Sequence, residues 1–284
     1  MKLIRYGRNG EERPGLVDAQ GTIRDLSSVI EDIDGAALSH TSLARLRELD
    51  TTRLKPVDPV ERIGACVAKP GKFICIGLNF RDHAAETGAS IPAEPVVFLK
   101  ATSAVSGPHD PIVKPRNSRK LDWEVELAFV VGEETRYVDE TQAASRIAGY
   151  CVCNDLSERE FQLERGGQWD KGKGCDSFGP IGPWLVTADE VDDPARLRMW
   201  LTVNGKRMQD GSTSQMIFRP AFLLSYLSQF MSLQPGDVVT TGTPAGVGLG
   251  RKPPEFLQVG DVVELGIDGL GTQRQIVVPW NGVT

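Results

Sequence analysis

Two glutamates set two residues apart, Glu124 and Glu126 in the run LDWEVELAFVV, are the side chains of this sequence best spaced for chemistry. In an extended strand alternate side chains share a face, so Leu121, Trp123, Val125, Leu127 and Phe129 would line one side and Asp122, Glu124 and Glu126 the other. The glutamate Cβ atoms would then stand roughly 7 Å apart, one strand repeat. Carboxylates held that close repel each other unless a cation, a proton or basic side chains intervene. About thirty residues on, the apolar run IAGYCVCNDL ends in Asp155, where a strand gives way to the polar SEREFQLER, so a third acid stands at a strand end. Oxygen-only ligands favour a hard divalent cation, Mg2+ or Mn2+, with water or substrate completing an octahedron. Zinc fits poorly, because none of the three histidines, His40, His83 and His109, is spaced with another as a zinc pair would be. The same spacing also suits the wet face of an amphipathic strand.

Three further segments carry candidate groups. If NFRDHAAE forms a short helix, His83 and Glu86 share a face, and the carboxylate can orient the imidazole as a general base toward water. The plain alternative is an exposed, Asn-capped helix. Gly77 and Gly88 on either side would let the segment move as a lid. The stretch Gly167 to Lys173 satisfies G-x-x-x-x-G-K, but Gly174 follows where a Ser or Thr would hold Mg2+, and the preceding EREFQLER is polar where a buried strand is required. A P-loop is therefore rejected, leaving a flexible turn that could deliver Lys171 or Lys173 to an anion or simply carry both as solvated loop lysines. Finally, DVVTTGTPAGVGLG runs from a strand into a turn whose backbone N–H groups can cradle a carboxylate, with the Thr243 hydroxyl as an added donor.

The elements that must position these groups read as strands. FICIGL, VVFLK, LDWEVELAFVV, IAGYCVC, GPWLV, MWLTVNG, DVVTTG, VVELGI and QIVVPW follow one another, while helical patterning is confined to SLARLREL, DETQAASRIA, SEREFQLE and RPAFLLSYLSQF. This predicts a β-rich α+β fold and excludes a doubly wound sheet. The first part of the chain reads as a small α/β unit, residues 1–68, joined near Lys69 to a larger domain over 69–284. Of 284 residues, 40% are hydrophobic and 25% charged, enough for a substantial core. A net charge of −6, with no dense Lys/Arg run, argues against nucleic acid and for a small-molecule partner. No apolar run reaches the roughly twenty residues of a membrane helix, and MKLIRYGRNGEERPG lacks a signal-peptide core, so a cytoplasmic protein is expected. The five cysteines show no CxxC pair and read as reduced core residues.

Taken singly these motifs decide nothing, but their order, GLNFRDHAAE, FLK, DWEVELAFVVG, NDLSERE, WDKGKGCDSFGPIGPW and TGTPAGVG, closely resembles the fumarylacetoacetate hydrolase family over about residues 70 to 280. The resemblance implies a mixed β-roll or barrel-like sandwich with few helices, usually dimeric. It implies that Glu124, Glu126 and Asp155 are Mg2+ or Mn2+ ligands, that His83 with Glu86 is a dyad on a mobile lid, and that Lys173 is the active-site lysine. Arg159 and Gln162 would line the pocket, and Thr243 would lie in a carboxylate-binding turn. The chemistry implied is hydrolysis of a 2,4-diketo acid to pyruvate and a second carboxylic acid. Chains of this length resemble the branch acting on 2,4-diketo-3-deoxy-rhamnonate or -fuconate. Similar chains are ureidoglycolate lyases, hydroxymuconate-type isomerases and oxaloacetate decarboxylases, and a catalytically silent binding protein is a further alternative. Arg81, Arg116 and Arg119 could grip the distal carboxylate of a diacid or could simply be surface charge.

Overall fold

The seven residues VELAFVV are buried without exception, so this segment has no wet face and must run through the middle of a sheet covered on both sides. The structure, a computed structural model, describes residues 1–58, 61–88 and 90–281. In chain order its elements begin β1 (Lys2–Tyr6), β2 (Arg13–Val17), β3 (Ile23–Asp25), α1 (His40–Arg47), β4 (Phe73–Gly77), α2 (Arg81–Thr87), β5 (Val96–Lys100), β6 (Val105–Ser106), β7 (Ile112–Lys114), β8 (Leu121–Asp122) and β9 (Val125–Val131). They continue α3 (Glu140–Ser145), β10 (Ile147–Asn154), β11 (Ser157–Glu158), α4 (Arg159–Leu163), α5 (Asp170–Lys173), β12 (Gly179–Thr187), β13 (Arg198–Val203), β14 (Lys206–Ser212), α6 (Pro220–Leu227), β15 (Val238–Thr240), β16 (Val262–Ile267) and β17 (Gly271–Pro279).

A ten-stranded mixed sheet runs β3-β2-β1-β12-β10-β9-β15-β4-β5, with β6 paired to β12, and a five-stranded sheet runs β14-β13-β16-β17-β7. The α+β, β-rich class is as the sequence implies, and the described residues form mixed sheets without a closed barrel. Alternation along β9 divides it between two cores. Val125, Leu127, Phe129 and Val131 pack with Leu201, Val263 and Leu265 of the smaller sheet, whereas Ala128 and Val130 join the cluster of Leu38, Leu43 and Leu46 around α1. The β1 strand pairs antiparallel with β12, Lys2 opposite Val186, so β1 to β3 continue the large sheet. No helix among the described residues is long and apolar enough to cross a membrane.

The expected unbroken strand LDWEVELAFVV is in two pieces, with Trp123 and Glu124 between them. The cause is local. The N–H of Trp123 donates to the Asp122 carboxylate at 2.8 Å, that of Glu124 to Asn154 Oδ1 at 3.1 Å and that of Val125 to Gln209 Oε1 at 2.9 Å, so side chains replace ladder partners. Similarly, the expected helix over SEREFQLE begins only at Arg159, because Ser157 and Glu158 pair with Asp122 and Leu121.

Register brings the chemistry to one end of the large sheet. The C-terminal end of β4 lies beside that of β15, which adjoins the N-terminal end of β9, which in turn adjoins the C-terminal end of β10. The pairings Cys153 with Glu126 and Asn154 with Val125 lead directly to a bond from the Asp155 N–H to the Glu124 carbonyl at 2.9 Å. The two acid-bearing segments are thus neighbours because of the ladder between them.

Candidate active site

Glu124, Glu126 and Asp155 are 5%, 2% and 1% exposed, and each offers one oxygen to a cluster in which all lie within 4.8 Å of one another. A wet strand face is therefore ruled out. The three acids are not equivalent. Glu124 accepts from Arg159 Nη2 at 2.6 Å and from Lys173 Nζ at 2.6 Å. Asp155 accepts from Lys173 at 2.8 Å through Oδ2, and the ammonium of Lys100 stands 2.5 Å from Oδ1. Glu126 has only the backbone N–H of Gly242, at 2.8 Å, and no basic side chain within ion-pair reach among the described residues. Burial raises the Glu124 carboxyl, but Lys173 and Arg159 more than offset it and hold it well below the usual range. Glu126 is pushed the other way, by burial first and then by the charges of Asp155 and Glu124.

Basic side chains lock this arrangement from behind. The buried Arg159 reaches Asp122 at 2.8 Å, Glu124 at 2.6 Å and the Gln162 carbonyl at 3.0 Å. Burial disfavours its charge, yet Glu124 and Asp122 outweigh that and raise its pKa. Lys173 behaves likewise, held charged by Asp155 and Glu124 against the cost of burial. It closes α5, a short helix where the sequence suggests a flexible turn. Lys171 on the same helix turns outward to the Arg165 carbonyl at 2.6 Å. Gly172 explains the glycine-rich spelling. A Cβ there would lie 2.4 Å from the Glu158 carbonyl oxygen and 2.5 Å from the Gln162 nitrogen, so only glycine lets α5 seat against α4. Gly172→Ala should therefore destabilise the fold by about 1–3 kcal/mol through overpacking. It should also displace Lys173, seen as a lowered Tm with a weaker divalent-cation response; an unchanged Tm would refute the close fit.

His83 and Glu86 lie on α2, as expected, with Nδ1 to Oε2 at 3.4 Å. Phe80 rather than Asn79 occupies the N-cap, because the Asn79 amide is drawn inward to the carbonyls of Phe218 and Thr241. Both Glu86 oxygens also accept from the Gly246 N–H, at 2.9 and 3.0 Å, which fastens the helix to the TGTPAGVG turn. Burial raises the Glu86 carboxyl, and the His83 and Gly246 bonds bring it below its ordinary value. The turn is further pinned by Asp122, which accepts from Gly248 at 2.7 Å and Leu249 at 3.0 Å, and by Gln209, which donates to Thr243 Oγ1 and the Pro244 carbonyl at 2.8 Å each.

Thr243 lines the cavity, and its hydroxyl donates to the Val125 carbonyl at 2.9 Å. None of Arg81, Arg116 and Arg119 lines the cavity; all three are exposed, Arg81 on the Met216 carbonyl at 2.9 Å and Arg116 over Trp280. Conversely, sequence reasoning missed Lys100, Asp122 and Gln209 as organisers. Lys100 is buried, and besides Asp155 it reaches the Leu156 and Lys173 carbonyls at 3.0 and 2.7 Å.

The groups share one cavity of about 220 Å3. Glu124, Glu126, Asp155, Arg159, Gln162, Lys173, His83 and Thr243 form its polar end. The donor set suits a hard divalent cation: three buried carboxylates, one without a basic partner, and an Asp155 Oδ1 that accepts no directed hydrogen bond despite the nearby ammonium.

Comparison with known proteins follows the same line. The sequence profile of the fumarylacetoacetate (FAA) hydrolase C-terminal family matches residues 72–278. A Burkholderia ambifaria protein bearing only a provisional hydrolase description is 60% identical, over 97% of this chain and 98% of its own. Fumarylacetoacetate hydrolase from Exiguobacterium antarcticum is 34% identical, with a TM-score of 0.85 over 98% of this chain and 99% of that one. Maleylpyruvate hydrolase from Sphingobium sp. SYK-6, solved with manganese(II) and pyruvate, is 29% identical, with a TM-score of 0.81 over 98% and 99%.

Proposed function

The chain belongs to the fumarylacetoacetate hydrolase family, and from that premise we propose that it hydrolyses a carbon–carbon bond of a 2,4-diketo acid, releasing pyruvate and a second carboxylic acid. The observation that carries this reading is the meeting of a three-carboxylate cluster with a histidine–glutamate pair in one cavity. A divalent cation, Mg2+ or Mn2+, held by Glu124, Glu126 and Asp155 would supply Lewis-acid stabilisation of the departing pyruvate enolate.

The chain's own groups do the rest. With its Nδ1–H turned to Glu86, His83 offers Nε2 as the base that takes a proton from water. The water oxygen bonds to C4, the C3–C4 bond breaks, its electron pair passes to the enolate, and the proton held on His83 returns to C3. Gln162, whose Nε2 has no partner among the described residues, and Lys173 donate to oxygens on which charge grows. The balance is R–CO–CH2–CO–CO2− plus water giving R–CO2−, pyruvate and a proton. The sugar-acid branch supplies 2,4-diketo-3-deoxy-rhamnonate or -fuconate as a first substrate to try.

Protein purified without chelator should carry Mg2+ or Mn2+ near one equivalent and release pyruvate from a 2,4-diketo acid, followed by coupled reduction of the pyruvate. Oxaloacetate in parallel separates the alternative. Carbon dioxide from oxaloacetate with no turnover of any diketo acid would make the protein a decarboxylase, and absence of metal would remove the basis of both.

A further inference from the structure

The cavity is sharply divided. Among the described residues its basic side chains other than His83 are Arg159 and Lys173, and both are already locked to carboxylates, Arg159 to Asp122 and Glu124 and Lys173 to Glu124 and Asp155. Beyond the polar end the wall is apolar, formed by Leu78, Phe98, Leu163, Trp169, Val247 and Leu249. This wall is built rather than incidental. Phe98 and Trp169 meet edge to face with centroids 5.4 Å apart, and the Trp169 ring occupies space that opens only because residue 77 is glycine, where a Cβ would come within 2.6 Å of the ring. Leu163 carries the wall outward, remaining 45% exposed at the mouth.

A second carboxylate on the substrate would have to leave water for this surface with no unengaged cation to receive it, and an uncompensated buried charge is among the costliest arrangements in a protein. We propose, resting on the diketo-acid reading above, that the acyl group R is uncharged and apolar, a short alkyl or aryl chain lying on Phe98, Trp169 and Leu163. Diacids are poor substrates of this chain. A hydroxylated R of the deoxy-sugar-acid kind falls between, since it fits in size but sets a hydroxyl against carbon.

The test is a kcat/KM series on the metal-loaded enzyme with acetylpyruvate, benzoylpyruvate, a diketo-deoxy sugar acid and fumarylpyruvate, following loss of the diketo chromophore. Acetyl- and benzoylpyruvate should exceed fumarylpyruvate by on the order of 100-fold or more, the scale at which an apolar pocket turns away a polar group. Leu163→Arg, at an exposed helix end, should lift fumarylpyruvate at least about tenfold while lowering benzoylpyruvate. Fumarylpyruvate turnover equal to or above benzoylpyruvate overturns this inference and leaves hydrolysis standing. If none of the four substrates yields pyruvate, the hydrolase reading itself falls, and this one with it.

Discussion

Glu126→Gln should abolish turnover and the response to divalent metal while leaving the fold intact. Glu126 is the member of the carboxylate cluster without a basic partner; among the described residues its hydrogen bond is with the Gly242 N–H, at 2.8 Å. Burial and the charges of Asp155 and Glu124 already push this carboxyl toward its neutral form in the metal-free protein, so the isosteric neutral amide disturbs little there. The metal-free variant should therefore unfold at the same temperature as the parent or slightly higher. With Mn2+ at a hundred times its Kd the parent gains about 2.7 kcal/mol, several degrees in Tm, and the variant gains none of it. Its kcat/KM should drop on the order of 1,000-fold or more, about 4 kcal/mol of transition-state stabilisation. Glu124→Gln makes the contrast. It strips a charge from Arg159 and Lys173 together, so it should cost about 3–5 kcal/mol of stability in addition to activity, the penalty for breaking a buried pair from one side. A Glu126→Gln protein whose Tm still rises with Mn2+ would dismiss this residue as a metal ligand.

What the sequence made legible was whatever depends on short spacing. The Glu-x-Glu pair and the acid closing the next apolar run could be read because strand period fixes which residues share a face, and the register between β9 and β10 then does the rest. His83 and Glu86 were equally readable, since three residues on a helix put both on one side. The apolar and aromatic strands came out in order, with the mixed sheets the family resemblance implied. Less visible were groups whose role depends on distant backbone. Asp122 shares a face with Glu124 in the strand pattern, yet it stands outside the carboxylate cluster and accepts from the N–H groups of Gly248 and Leu249, more than a hundred residues away. Gln209 holds the same turn from a strand whose sequence, KRMQDGS, carries little apolar alternation. Lys100 did leave a trace. It stands at the end of VVFLK with the inward parity of Phe98, and a charged residue at an inward position asks for a buried partner, which is Asp155.

His83→Ala should separate the base from the metal. The imidazole is 8% exposed, lines the cavity with the three acids, and has its Nδ1 toward a Glu86 carboxylate that Gly246 holds in place. A positioned general base contributes typically 10²- to 10⁴-fold, so kcat should fall by that factor, about 3–5 kcal/mol. Because His83 is not among the clustered carboxylates, Mn2+ affinity should stay within about twofold and the KM for the diketo acid should change little, since the binding of the keto acid end rests on other groups. Glu86→Gln should fall between parent and His83→Ala: the amide still fills the space beside Gly246 but no longer favours the imidazolium formed as water is deprotonated. Added imidazole should restore part of the His83→Ala rate, which an effect on lid closure would not allow. If His83→Ala instead lost metal and substrate affinity in step with rate, the histidine would be holding the site together, and the base in this reaction would have to be found elsewhere in the cavity.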